Sequence, residues 1–172
     1  MPNYRRDRDG RSYFFTVVSY RRRPLLCDAR VRHFLRNKLI ELRQRRPFDI
    51  DAWVLLPNHL HCIWTLPESD TDYSSRWAWL KKEATKAARH SGLITRTEVS
   101  LWQARFWEHR IRDEADLLAH CSYIHWNPVR HRLVPRVRDR PWSTFHRFVA
   151  NGLLRSDWGD DGVKIAADIG RE

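Results

Sequence analysis

The amino-acid sequence predicts an α+β fold of the ferredoxin-like, split-βαβ kind. It consists of an antiparallel sheet with helices on one face, in the order β-α-β-β-α-β-α, plus an irregular C-terminal tail. Three observations predict it. Short runs rich in β-branched and aromatic residues alternate with longer stretches whose apolar residues recur at helical spacing. Two of the short runs are joined only by Pro57-Asn58, as a hairpin would be. The 172 residues suffice for one domain with its own core and a small appendage.

Residues 12–19 read as the first strand. Asp28 is a fair N-cap for a helix carrying Val31, Phe34, Leu35, Leu39 and Leu42 on one side; Arg43, Arg45 and Arg46 suit its C-terminal end and Pro47 stops it. Residues 49–56 and 58–66 form the hairpin. A second helix spans about 72–90, with Trp77, Leu80, Ala84, Ala87 and Ala88 inward and Ser91-Gly92 at its end. Residues 105–111 are a short strand. Asp113 caps a third helix expected to end at Asn127, because Pro128 disfavours helix in the residue before it. The domain is assigned to 1–132, beginning with a basic, flexible arm over the first ten residues. Residues 133–172 form a tail wrapped on it.

Lys plus Arg total 32 against 21 Asp plus Glu, a formal charge of +11. Such a surface suits a polyanion, and neutralising phosphates releases counterions. No apolar run is long enough for a transmembrane helix, so nucleic acid is favoured over membrane. Cys27, Cys62 and Cys121 are odd in number and far apart, which fits reduced thiols in the cytosol rather than a disulfide framework. Of nine tryptophans, exposed ones could stack on bases.

His59 and His61 carry the chemical signal. Strand side chains alternate, so the two imidazoles point to one face while Leu60, Cys62, Trp64 and Leu66 point to the other. Such a pair could share a divalent metal, although two surface histidines without a ligand fit the same pattern. On the third helix, at about 100° per residue, Asp116, His120, Tyr123 and Asn127 fall in one narrow band, with Leu117, Cys121 and Ile124 on the side that packs. An ordinary amphipathic helix would look similar. Together, however, two neutral imidazoles and an amide oxygen could hold a divalent ion with open positions. That ion would polarise a scissile phosphate for attack by the phenol, a weak nucleophile whose pKa is ordinarily about 10.

These segments resemble the REP-associated tyrosine transposases, within the single-tyrosine HUH transposases. The resemblance is carried by residues 12–24, by 51–61 ending in Asn58-His59-Leu60-His61, and by 106–114. It continues through Tyr123-Ile124-His125-Trp126-Asn127-Pro128-Val129-Arg130-His131 and Pro141-Trp142-Ser143-Thr144-Phe145-His146. It implies an enzyme that nicks and rejoins single-stranded DNA at hairpins (repetitive extragenic palindromes) through a 5′-phosphotyrosine link. The catalytic residue would be Tyr123, the metal ligands His59, His61 and Asn127, and the cofactor Mg²⁺ or Mn²⁺. It also implies a cytoplasmic, nucleoid-associated bacterial protein, monomeric or dimeric. The family often has glycine where this chain has Arg132. If Asn127 were frayed, His120 or a water could complete the metal shell.

Other candidates have plainer alternatives. Arg21, Arg22 and Arg23 could contact phosphates or form a solvated loop. Trp102, Gln103 and Arg105 are candidates for base contact, unless Trp102 anchors its loop to the core. Glu108 and His109 could support the site or belong to strand structure, and His125 reads as structural. Lys81, Lys82, Lys86 and Arg89 suit a solvated helix face. A non-catalytic binder of DNA or RNA hairpins, and a metal-dependent hydrolase in which Tyr123 only orients substrate, are the competing functions.

Overall fold

The computed structural model describes residues 11–165 and Ile169. The expected arm over the first ten residues lies outside them. Four strands, β1 (Ser12–Val18), β2 (Asp49–Leu55), β3 (His59–Thr65) and β4 (Trp107–Arg110), form one antiparallel sheet in the order β2-β3-β1-β4. This is the split-βαβ order the sequence predicts. The turn at Pro57-Asn58 closes the β2–β3 hairpin, with the Leu56 N–H donating to the His59 carbonyl at 2.9 Å.

Helices α1 (Ala29–Arg45) and α2 (Tyr73–His90) cover one face. Tyr13, Phe15 and Val17 of β1 and Leu60, Cys62 and Trp64 of β3 point to it and pack on Val31, Leu35, Trp77 and Leu80. The Trp64 and Trp77 rings stack 4.1 Å apart. The α1 cap is as expected, Asp28 accepting from the Arg30 N–H, and Asp72 caps α2 by accepting from Ser75.

Helices on one face only is the expectation that fails. Helix α3 (Glu114–Arg130) lies on the opposite face, where Leu117, Cys121 and Ile124 pack against Phe14, Ala52, Val54 and Ile63. The reason is compositional. β1 and β3 carry apolar residues on both faces, Phe14 and Ile63 being those on the second, and β3 is buried along its whole length, so both faces need a cover. The tail is also more regular than expected. Residues 142–144 run along the β2 edge, with Leu55 N–H donating to Trp142 O and Thr144 N–H to Trp53 O. A short helix, α4 (Phe145–Ala150), then buries Phe145 and Phe148. All three cysteines are thiols, Cys62 and Cys121 being buried.

Helix α3 continues past Asn127 to Arg130 with Pro128 inside it. A proline so near the C-terminal end forfeits one helical hydrogen bond, and the ending recovers others. The Leu133 N–H donates to Pro128 O and the Arg132 N–H to Val129 O, both at 2.9 Å. Helix α2 ends with the same two bonds, Leu93 to Ala88 and Gly92 to Arg89. That ending requires a left-handed residue: Gly92 supplies it at φ +72°, whereas in α3 Arg132 supplies it at φ +55°. Arg132→Gly is therefore expected to stabilise the protein by up to about 1 kcal/mol, the relieved strain being partly offset by the freer unfolded chain. Thermal melting should show a rise of roughly 2–4 °C, and no rise would refute the strain.

Candidate active site

The N-terminal half of β3 sets two imidazoles side by side. Thr16 lies opposite His61 on β1, Val18 opposite His59, and Val54 flanks His61 on β2. Both histidines are buried and their ring centroids are 4.9 Å apart. His59 Nδ1 lies 2.7 Å from the Asn58 side-chain oxygen, an acceptor, and Nε2 is buried. His61 Nδ1 lies 2.9 Å from the Thr16 hydroxyl, which fixes its ring plane.

Helix α3 brings its polar band over this pair. The Tyr123 ring lies 5.1 Å from that of His61 and 5.9 Å from Phe14, and is buried. Asn127 follows one turn later, fully buried, its Oδ1 included. Two residues that the sequence reading missed complete the surroundings. Arg130 donates from Nη1 to the Tyr123 hydroxyl at 3.0 Å, with its guanidinium carbon 5.4 Å from the ring centre. The His131 ring lies 5.1 Å from His59. Helical spacing would have found both, as seven beyond Tyr123 and four beyond Asn127, but the helix was expected to stop at Asn127.

His120 does not join this group. The Phe14 ring stands between, 4.9 Å from His120 and 5.5 Å from His61. His120 belongs instead with His109 and Asp116. Asp116 Oδ2 lies 2.8 Å from His109 Nε2 and accepts from the Arg112 backbone N–H at 3.0 Å, while Oδ1 lies 3.1 Å from His120 Nδ1. One donor atom from each of the three lies within 4.8 Å of the others, close enough to hold a metal. Burial alone would raise the Asp116 pKa, but hydrogen bonds from Arg112 and His109 hold it well below the usual carboxylate range. Burial lowers that of His120, favouring neutral imidazole.

The remaining candidates separate. Glu108 lies on the α1/α2 face, interacting with Tyr73, and so is turned away from His109. His125 is structural: burial pushes its pKa down to about 3, and its Nε2 lies 3.0 Å from the Thr144 hydroxyl. Trp102 is buried in the α1/α2 core and presents no face for stacking, which corrects the base-contact reading in favour of an anchor. The Gln103 N–H donates to Val18 O, and Arg105 is exposed. Arg21 and Arg22 are exposed in a 3₁₀ turn at φ +52° and +54°, while Arg23 is paired with Glu98. Lys81 is not solvated as expected. It donates to the Gln103 carbonyl at 2.7 Å, and burial lowers its pKa to about 8.

The profile of the family described as "Transposase IS200 like" matches residues 10–127. The chain belongs to that family. The REP-associated tyrosine transposase of Escherichia coli (strain K12) is 48% identical over 158 residues, 92% of this chain and 90% of that relative. The putative REP-associated tyrosine transposase of Haemophilus influenzae is 40% identical over 177 residues, covering 98% and 100%. A solved structure of a REP-associated tyrosine transposase bound to a REP hairpin is 46% identical, with a TM-score of 0.76 over 97% of this chain and 96% of that one. This transposase therefore groups with enzymes that cleave and rejoin DNA. Among its described residues, no helix is long and apolar enough to cross a membrane.

The Asp116 network ties β4 to α3, and its removal should be felt in stability. Asp116→Asn is expected to cost about 1–3 kcal/mol near neutral pH. Because the folded-state pKa is depressed, the wild-type advantage exists above the unfolded carboxylate value, about 4, and disappears as the pH falls through the lowered folded value. Denaturant titrations of both proteins across pH 2–7 check this. A gap that stays constant below about pH 4 would count against the ionic network.

Proposed function

We propose that this transposase nicks and rejoins single-stranded DNA at hairpin-forming repeats, with Tyr123 as nucleophile and His59, His61 and Asn127 holding a divalent ion, Mg²⁺ or Mn²⁺. The observation that carries the reading is the meeting of the Tyr123 ring with the His59/His61 pair, 5.1 Å from His61, under a helix turn that also delivers Asn127. The DNA partner follows from the relative 46% identical to this chain, whose solved structure holds a REP hairpin.

The donor set fits such an ion. Imidazole nitrogens and an amide oxygen are neutral ligands, and three of them leave positions for phosphate and water. When bound, the ion polarises the scissile phosphate. The rest falls to the chain. The Tyr123 oxygen attacks phosphorus, the bond from phosphorus to the 3′ oxygen breaks, the phenol gives up its proton, and the departing strand leaves as a 3′-hydroxyl. The 5′ phosphate stays on Tyr123. In the reverse step a 3′-hydroxyl attacks that phosphotyrosine, so rejoining uses the bond energy retained in the link and needs neither ATP nor a ligase. Arg130, always charged and bonded to the phenolic oxygen, stabilises the negative charge that develops there.

Incubation with a labelled hairpin oligonucleotide and Mg²⁺ or Mn²⁺ should give a covalent protein–DNA adduct that Tyr123→Phe abolishes. Cleavage that survives in Tyr123→Phe would identify a hydrolase, and tight binding without cleavage a binder. His59→Ala and His61→Ala should lose cleavage while hairpin affinity stays largely intact; equal loss of both would sink the metal assignment.

Arg130→Met is expected to slow adduct formation about 10²-fold, with partial recovery in Arg130→Lys. Single-turnover rates at saturating hairpin measure it. A defect confined to hairpin affinity would remove Arg130 from the chemical step.

A further inference from the structure

A cluster of metal-ligating side chains lies across the Phe14 ring from His61, where β4 meets the first turns of α3. We propose that His109 Nε2, the Asp116 carboxylate and His120 Nδ1 bind one divalent ion of the zinc class, which pins β4 to α3. This site is independent of the ion proposed at His59, His61 and Asn127, and either assignment stands if the other fails.

Spacing is the first argument. A tetrahedral ion with ligand bonds of about 2.0–2.1 Å sets its donors about 3.3 Å apart. Asp116 Oδ2 already lies 2.8 Å from His109 Nε2, and Oδ1 lies 3.1 Å from His120 Nδ1, so small movements open room for the ion. Donor chemistry selects the metal. Two imidazole nitrogens and a carboxylate suit Zn²⁺ and leave a fourth position for water, whereas Mg²⁺ prefers oxygen ligands. The His109 and His120 rings lie nearly parallel, 14° and 4.6 Å apart, so one must tilt for both to face the ion. His109 can do so, its side chain being 26% exposed against 3% for His120. His120 Nδ1 gives up its 2.8 Å hydrogen bond to the Asp116 carbonyl and changes tautomer. The obstacle is Arg112, whose Nε lies 3.2 Å from Asp116 Oδ2. That side chain is 71% exposed and swings into water, while the Arg112 backbone N–H, 3.0 Å from Oδ2, stays to orient the carboxylate. Phe14 and Trp107 flank the two imidazoles with apolar rings that limit the access of water.

The test uses the full chain carrying His59→Ala/His61→Ala, which removes the other site, after treatment with a chelator. Calorimetric titration should find one equivalent of Zn²⁺ and no comparable binding of Mg²⁺. Zinc at about a hundredfold excess over its Kd should raise the melting temperature by roughly 5–10 °C. Adding His109→Gln, a change at the partly exposed ligand, should weaken zinc binding at least about tenfold and abolish that rise. Adding Arg112→Ala instead should tighten binding about tenfold, because a like charge leaves the site. Long-range ¹H–¹⁵N spectra of the wild-type protein need no variant: zinc should shift the ring nitrogens of His109 and His120 and leave those of His125 and His146 in place. No bound equivalent once His59 and His61 are gone, or one that survives His109→Gln, overturns the proposal. So does Arg112→Ala that binds zinc no more tightly, or zinc that leaves the His109 and His120 nitrogens unshifted.

Discussion

The pairing of β1 with β3 is the constraint on which the rest of the structure depends. Thr16 sits opposite His61 and Phe14 opposite Ile63, so one face of these two central strands carries the imidazoles and the other carries Phe15, Leu60, Cys62 and Trp64. A slip of one residue would turn every side chain over, burying both histidines beneath α1 and α2 and setting Trp64 against α3. There the imidazoles would enter an apolar core built around Trp64, Trp77 and Leu80. The register is held by burial on both faces at once, stronger than any turn preference could make it.

From that register the position of Tyr123 follows. Helix α3 must cover the second apolar face, and Leu117, Cys121 and Ile124 do so. Their spacing leaves Tyr123 and Asn127 facing the histidine half of the sheet and His120 facing β4. Phe14 lies between the two polar groups, contacting His61 and Tyr123 on one side and His120 on the other. One phenyl ring therefore keeps the His109/Asp116/His120 network separate from the pair proposed to hold the metal. The same ring gives both groups a common apolar wall.

Much of this was legible in the sequence. Strand alternation put His59 and His61 on one face, and helical spacing put Tyr123 and Asn127 on another, because both are local properties of regular backbone. Non-local pairing decided what stayed hidden. That α3 lies across the sheet from α1 and α2 depends on both faces of β1 and β3 being apolar, a fact present in Phe14 and Ile63 but overshadowed by the amphipathic look of β2. The burial of Trp102 depends on its loop bridging to Ser19, and sequence spacing carries no trace of that. Arg130 and His131 were hidden by a local rule applied too strictly: proline discourages helix in the residue before it, but one lost hydrogen bond near a helix end is readily offset.

The last turn of α3 shows why that offset matters to function. A helix halted at Asn127 would leave its amide on a frayed end, and an amide that samples several orientations would serve poorly as the proposed ligand. By continuing to Arg130 and closing through Leu133 and Arg132, the chain surrounds Asn127 with ordered backbone; the His131 N–H donates to the Asn127 carbonyl at 3.0 Å. The same turn swings Arg130 back over Tyr123 and His131 beside His59. The left-handed strain at Arg132 is thus the local cost of an ending that orders Asn127, Arg130 and His131 beside Tyr123 and His59. Backbone strain persists where the surrounding structure over-determines it, and here the over-determining contacts are those of the proposed active site.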